Sequence, residues 1–365
     1  MHAKAVILLW FQFLSYLAKV SSGVRIFLTG GTGLIGLALV KALRRRDWAV
    51  TALVRNPTSK AAHAIQALGA QLVTGDVCDR TTLRQPMLGA DVVIHNAGWV
   101  GVGLSAAEQR QQRAINVTGT ANTLGLAVEL QIPKILYTSS ITAFGPTGDY
   151  AMADEHYTRR HRPSTHYDVT KEAAHAIAVR LQQKGAPLII ICPGNVVGPN
   201  DRSPLGYMMR LYVRGWLPPI MWARNRKISL IHADDLAETS TLAVEKGRIG
   251  ETYIAVDAVA TMYEIFHSWD STLGGIKPFC WVNPFTANMI GRLAAPCLRG
   301  LGLPAFISKE VVAYTHAGWA FSGEKAKREL GAPTRGLHKM WQDTLAIEYA
   351  SAQTRRWSIT PDESN

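Results

Sequence analysis

The chain has few cysteines, few acidic residues and no long apolar span, and each shortage removes a class of explanation. Its 4 cysteines, at 78, 192, 280 and 297, lie far apart and form no C-x-x-C pair. That argues against a disulfide framework and fits a reducing compartment, so a cytoplasmic location is expected. No zinc-ligand spacing and no RNA-binding signature occurs, so neither a metal nor a nucleic acid is expected as a partner. Asp and Glu number 27 against 39 Lys and Arg, a formal net charge of +12. The basic residues are spread out, with short clusters at Arg44-Arg45-Arg46 and Arg224-Asn225-Arg226-Lys227. Such charge is first a solvated face, and second an attraction for anionic cofactors or a membrane surface. The N-terminal stretch 5–18 is apolar apart from Gln12 and Ser15. It is short for a membrane span and the right length for a signal-peptide core. Three readings of residues 1–22 stay open: a membrane-surface or short anchor helix, a start codon assigned too early, and a signal peptide.

What is present points to an α/β protein. The 365 residues are 47% hydrophobic and 18% charged, enough for a large core and a smaller second lobe. Apolar runs at 24–29, 48–54, 70–74, 91–95, 134–138 and 187–192 alternate with helix-period stretches at 34–46, 58–68, 80–88, 106–131 and 166–184. This alternation predicts a Rossmann-type doubly wound parallel sheet with helices on both faces. After Pro193 the pattern loosens into helices near 204–215, 234–246, 261–274 and 285–301, with short strands near 228–231 and 251–256. The expected division is an apolar segment 1–22, a dinucleotide-binding domain 23–193, a mixed α/β substrate lobe 194–350 and a polar tail 351–365. A last helix is expected near 336–350. The segment 278–307, rich in Trp, Phe, Leu and Pro, is expected to be a buried helix pair or a pocket wall.

The first strand runs into Thr29-Gly30-Gly31-Thr32-Gly33-Leu34-Ile35-Gly36. A strand, a glycine turn and a helix start make an anion site, because the first amides of a helix are unpaired and its dipole favours negative charge. Glycine lets a pyrophosphate approach the backbone, and Gly36 is expected to let the helix pack tightly on the sheet. The spacing fits both 31/33/36 and 30/33/36. Arg55 ends the second strand, with Lys60 close behind, where an acidic residue would accept the ribose hydroxyls of NAD. A guanidinium suits a 2′-phosphate, so NADP(H) is expected, with NAD(H) as the alternative. Asp76, followed by Val77, either accepts from an adenine amino group or forms a turn. Asn96, Ala97 and Gly98 end the fourth strand with small residues that let backbone lie against a cofactor.

Tyr167 and Lys171 stand four residues apart on an expected helix and share one face. A free phenol titrates near about 10, and a neighbouring ammonium is expected to lower it toward working pH.

The stretches TGGTGLIG, GDVCD, YTSSITAFG, YDVTK, ICPGNVVGP and LIHADDLAE together resemble the extended short-chain dehydrogenase/reductases over about residues 24–350. The resemblance implies Ser140 as the residue that hydrogen-bonds the substrate oxygen, with Ser139 as its neighbouring candidate. It implies Tyr167 as general acid/base, and Lys171 as the residue that binds the nicotinamide ribose and tunes the phenol. Asn116 resembles the asparagine that supports the lysine. Pro193, Gly194 and Val196 resemble the segment at the nicotinamide end. The cofactor-binding set expected is Gly30, Thr32, Gly33, Leu34, Ile35, Arg55, Lys60, Asp76, Val77, Asn96, Ala97, Gly98, Tyr167, Lys171, Pro193, Gly194 and Val196. His232 and Asp235 are expected to be structural. Pairing of two chains through 106–131 and 166–184 is an analogy with relatives.

For the substrate, the arginine that binds a diphosphate in sugar-nucleotide members is replaced by Ile228, which favours a reductase of a hydrophobic ketone or its alcohol. Asn195 matches an asparagine that both groups use. Trp216, Trp222, Phe279, Trp281 and Phe285 are candidate pocket walls, with burial in the core as the leading alternative for each. The alternatives are a sugar-nucleotide epimerase or dehydratase, including the hopanoid-pathway sugar epimerase-like group, with Arg224, Arg226 or Lys227 on the diphosphate, and a non-catalytic NADP-binding sensor.

Overall fold

A computed structural model describes residues 23–148, 152–160, 162–163, 165–275, 278–300 and 307–354. The readings of residues 1–22 lie outside the described residues. The first half alternates as expected: β1 (Arg25–Thr29), α1 (Leu34–Arg44), β2 (Ala49–Val54), α2 (Lys60–Ala67), β3 (Gln71–Thr74), α3 (Arg80–Met87) and β4 (Val92–His95). Next come α4 (Ala106–Arg113), a π-helical turn (Ala114–Thr118), α5 (Gly119–Glu129), β5 (Lys134–Thr138), a 3-10 turn (Ile141–Ala143), α6 (His166–Gln183) and β6 (Leu188–Pro193). The later elements are β7 (Asn195–Val197), α7 (Pro204–Val213), β8 (Ile220–Trp222), β9 (Lys227–His232), α8 (Ala233–Lys246), β10 (Thr252–Ala255) and β11 (Ala258–Thr261). They end with α9 (Met262–Leu273), β12 (Cys280–Val282), α10 (Pro284–Gly300), α11 (Lys309–Ala317), α12 (Glu324–Leu330) and α13 (Leu337–Thr354).

Seven strands form one parallel sheet in the order β10-β6-β5-β4-β1-β2-β3. The pairing of β1 with both β2 and β4 is the point where the strand order reverses, and ligands of such sheets bind at the carboxyl ends of the strands there. The central strands are apolar on both faces, because helices cover both. Ile26, Leu28 and Ile94 pack with α1, α2 and α8, while Phe27, Val93 and Tyr137 pack with α3, α5 and α6.

The division into lobes is not one cut at residue 193. β10 pairs with β6, and α8 packs on α1, so 233–255 returns to the large sheet instead of joining the substrate lobe. That lobe holds a three-stranded sheet β11-β9-β7, a pair β12-β8, and α7, α9, α10, α11 and α13 around Trp269 and Trp341, whose rings meet edge to face at 5.1 Å. α13 runs to Thr354, into the stretch expected to be tail.

Candidate active site

The glycine turn is built by close approach at two positions. Gly30 has φ +73°, and a Cβ there would lie 2.6 Å from the Ala97 amide nitrogen, so the turn presses against the end of β4. At Gly36 a Cβ would lie 2.1 Å from the Gly30 carbonyl oxygen and 2.5 Å from the Gly31 carbonyl carbon. What Gly36 permits is therefore contact with the turn itself, not the expected contact with the sheet. A Cβ at Gly31 would lie 3.3 Å from the Leu28 side chain and 3.4 Å from Ile65, a tight fit, so backbone crowding demands glycine at 30 and 36 while 33 has space around it.

The N-terminus of α1 suits a diphosphate. Gly33 is its N-cap, no side chain caps it, and its first turn holds no acidic residue. A Cβ at Gly33 would meet only the Gly30 carbonyl oxygen, at 3.8 Å, so the approach to the Leu34, Ile35 and Gly36 amides is open. Thr32 lies exposed at the turn, and Asn96 closes it by donating from Nδ2 to the Gly30 carbonyl at 3.2 Å. At the other end of the crevice, a Cβ at Gly98 would stand 3.5 Å from Asn116 Oδ1 and 4.0 Å from Lys171 Nζ. Gly98 thus brings the backbone after β4 up to Asn116 and Lys171. Pro193 ends β6, and a Cβ at Gly194 would strike the Ser229 carbonyl at 2.8 Å, so backbone also forms that wall. Val196 lies half-buried on β7, against Ile231 of β9.

The residues expected around the adenosine end are more ordinary. Arg55 and Lys60 are exposed. Asp76 Oδ1 accepts from the Cys78 amide at 2.8 Å, which is the turn-forming arrangement of the two that were open. Val77 is buried where α5 begins, and a Cβ at Gly119 would lie 2.7 Å from its Cγ2.

The catalytic candidates converge at the end of β5. Ser140 caps the 3-10 turn: its Oγ accepts from the Thr142 amide at 3.2 Å and from Thr142 Oγ1 at 3.0 Å. The Ser140 and Thr142 hydroxyls lie on the Tyr167 side of this turn and act to lower its phenol. Ser139 is turned away and meets His175 Nδ1 at 2.9 Å. Arg159 braces the turn by donating from Nη2 to the Thr142 and Ala143 carbonyls, each at 3.1 Å. α6 starts with a capping box between Thr165 and Asp168, which fixes the helix just before Tyr167 and Lys171.

The electrostatics differ from the sequence expectation. Burial pushes the Tyr167 phenol up to about 12, against the Ser140 and Thr142 hydrogen bonds that pull it down. Burial pushes Lys171 down to about 8. The ammonium is aimed at the Thr138 carbonyl, 3.3 Å from Nζ, and lies 5.4 Å from the Tyr137 ring centre, so it does not lower the phenol here. His95 is fully buried between Thr29 Oγ1 at 2.8 Å and Thr120 Oγ1 at 3.0 Å. Burial and then the Lys171 charge hold it down at about 3, so it stays neutral.

The sequence missed three parts of this site. The helix expected over 106–131 is interrupted by the π-helical turn, which carries Asn116. Its Oδ1 accepts from the Trp99 amide at 2.7 Å, and its Nδ2 donates to Thr170 Oγ1 at 3.0 Å, tying the loop after β4 to α6. Thr142 was visible only as a hydroxyl two residues after Ser140. Tyr314 on α11 donates to Asn195 Oδ1 at 3.1 Å, and burial, with the charges of Asp168 and Tyr167 nearby, pushes its own phenol up. Nothing local in the sequence points across to it.

The remaining expectations divide. Asp235 is structural, paired with Arg335 at 2.7 and 2.8 Å. His232 caps α8 by accepting from the Asp234 amide at 3.2 Å. The pocket-wall expectation fails at three positions: Trp216, Phe279 and Phe285 are exposed, because the β12-β8 pair and the start of α10 turn them outward. Trp222 is buried with its Nε1 on Thr315 Oγ1 at 2.7 Å, and Trp281 is half-buried.

Residues 26–255 match the NAD dependent epimerase/dehydratase family. The chain is 28% identical to a 4-hydroxy-2-methyl-3-oxo-4-farnesyl-3,4-dihydroquinoline-1-oxide ketoreductase from Stigmatella aurantiaca, over 88% of this chain and 96% of that one. It is 28% identical to a putative dihydroflavonol 4-reductase from a Synechocystis strain, over 87% and 93%. The structure of a UDP-glucose 4-epimerase from Thermotoga maritima superposes with a TM-score of 0.71 at 17% identity, over 90% of this chain and 100% of that one, a likeness of fold. Together with the glycine turn and the residues gathered at β5, these matches make the chain a member of the NAD dependent epimerase/dehydratase family and a nicotinamide-dependent enzyme of the extended short-chain dehydrogenase/reductase type.

Proposed function

We propose that the chain is an NADP(H)-dependent reductase or dehydrogenase that interconverts a hydrophobic ketone and its secondary alcohol. The observation that carries this over the sugar-nucleotide reading is the buried Ile228 in place of a diphosphate-binding arginine, together with Asn195, which is engaged within the protein. Its Oδ1 accepts from Tyr314 and its Nδ2 donates to the Ser229 carbonyl at 3.1 Å, so both ends of the carboxamide are held within the protein. Ile228 is buried where a diphosphate would need a cation, and the Arg224 guanidinium lies 4.7 Å from the Tyr263 ring centre. The ketoreductase and dihydroflavonol-reductase names among the relatives favour the same class. A thermal-shift screen with NADPH, bulky ketones and UDP-glucose tests it. Added protection by ketones is expected; protection by UDP-glucose and by no ketone would overturn the substrate class.

When bound, the nicotinamide supplies or accepts the hydride. Ser140, with its oxygen already accepting from Thr142, has its own proton to offer a carbonyl oxygen. Tyr167, held near 12, stays protonated at neutral pH and can give its proton to an alkoxide, a much stronger base. The raised phenol thus suits the reductive direction. Lys171 would hold the ribose end, with Asn116 tying the loop after β4 to α6 through Trp99 and Thr170.

The NADP(H) preference rests on Arg55. It follows β2 directly and is exposed, on the strand-end side of the sheet. Arg55→Asp is expected to shift the ratio of NADP to NAD dissociation constants by roughly 10–100-fold, the worth of a hydrogen bond to a charged group. An unchanged ratio would make Arg55 a surface charge.

Lys171 supplies a pH prediction. Its folded pKa is lowered, so the charge is present below about 8 and lost as pH rises through that value. The same sign means that stability rises with pH between about 8 and the unfolded lysine value, because only the unfolded chain stays protonated there. Since kcat/KM for NADPH reports groups of the free enzyme, it is expected to fall above about pH 8. A profile flat to pH 10 would contradict the ribose-holding role.

A further inference from the structure

We propose that the outer face of the second lobe, formed by Trp216, Ile220, Phe279, Phe285, Met289 and Leu293, docks on the surface of an anionic phospholipid bilayer. The inference is independent of the substrate reading. α10 is amphipathic in an inverted sense. Its inward positions Ala287, Gly291 and Ala295 are small and buried, and a Cβ at Gly291 would lie 2.9 Å from the Ser308 carbonyl carbon. The residues opposite them, Phe285, Met289 and Leu293, are large, repeat at i, i+4 and i+8, and face out. Phe285 is 77% exposed and Leu293 69%. The neighbouring β12-β8 pair extends the face. Ile220 lies beside Cys280, and the Phe279 and Cys280 amides both donate to the Pro219 carbonyl, at 3.1 and 3.0 Å. Phe279 is 74% exposed and Trp216 57%. Exposed apolar residues gathered this way mark an interaction surface.

Charge selects the partner. Segments 202–233 and 271–309, which carry this face, hold six and four Lys or Arg and no Asp or Glu. Among the described residues Arg202, Arg224, Lys227, Arg292 and Lys309 of these stretches are exposed, while Arg210 is paired with Glu348. Aromatic and aliphatic side chains beside cations of one sign are the chemistry of a surface that sinks into the headgroup layer of an anionic leaflet. Among the described residues no helix is long and apolar enough to cross a membrane, which leaves a face that lies on it.

The test sediments the full-length chain with phosphatidylcholine vesicles, with and without roughly a one-third share of phosphatidylserine. The wild type is expected to bind the phosphatidylserine vesicles at least roughly tenfold better than the neutral ones, and added salt is expected to weaken binding. Phe285→Ser with Leu293→Ser, both at exposed positions, is expected to lower that binding by at least roughly tenfold with an unchanged melting temperature. Arg292→Glu is expected to weaken binding to the anionic vesicles alone. Equal binding by the double variant would place attachment elsewhere, the N-terminal segment included, and would overturn the proposal. So would equal binding to both vesicle types. No vesicle binding, with self-association that the double variant abolishes, would give the face to a second copy and overturn it too.

Discussion

Tyr167→Phe is expected to lower turnover by ~10²–10⁴-fold while NADPH affinity changes by less than about threefold. The phenol stands near the end of β5, where the Ser140 and Thr142 hydroxyls act on it, and burial holds it protonated. Removing one oxygen deletes the proton donor and leaves the ring, the helix cap at Thr165 and the Lys171 contact with Thr138 in place. Steady-state turnover with a responsive ketone and a fluorescence titration with NADPH separate the two quantities. Loss of both in equal measure would make Tyr167 a binding residue. NADPH binding that survives the substitution, in a wild type that turns over nothing, would favour the sensor reading.

Gly36→Ala is expected to cost about 3 kcal/mol of stability and to weaken NADPH binding by roughly 100-fold. The new methyl would lie 2.1 Å from the Gly30 carbonyl, a backbone atom that Gly30 cannot easily move because it is pressed against Ala97. The start of α1 must shift, and its amides shift with it. Gly33→Ala is the contrast. Its backbone is extended, with φ −82° and ψ 177°, and its methyl meets only an oxygen at 3.8 Å. It is expected to keep the melting temperature and lose affinity, because the methyl stands where an anion approaches the amides. Calorimetry and a cofactor titration on both variants check the pair. Equal affinity of Gly33→Ala and the wild type would remove the diphosphate from this helix start.

The strands of the large sheet were legible because β1, β2, β4, β5 and β6 are near-continuous apolar runs, buried on both faces. The short strands β7, β8 and β12 were not, since three residues carry no period. β10 was visible as a strand, but its place beside β6 depends on α8 packing across α1, which local pattern does not encode. At the site, Tyr167 and Lys171 were legible as a pair because four residues on one helix share a face, whereas Ser140 was named only by the family resemblance. The hold of Tyr314 on Asn195 was not legible, because 119 residues separate them. The direction of the Tyr167 shift was misjudged for a related reason. Spacing on a helix gives the distance between two residues, but not where the lysine aims or how much protein surrounds the phenol. Phe279, Phe285 and Leu293 show the same limit: large apolar residues on a helix-period stretch look like core until the partner face is seen to be filled by Ala287 and Ala295.

The central claim is that a hydride passes between the nicotinamide and a carbonyl carbon beside Tyr167. Its most direct test is isotope transfer from NADPH deuterated at the reactive carbon to a panel of bulky ketones, with the alcohols examined by mass spectrometry. One deuteron at the carbinol carbon with the wild type, accumulating ~10²–10⁴-fold more slowly with Tyr167→Phe, is the expected result. No deuterium in any alcohol, from an enzyme that epimerises UDP-glucose with its cofactor retained, would contradict it.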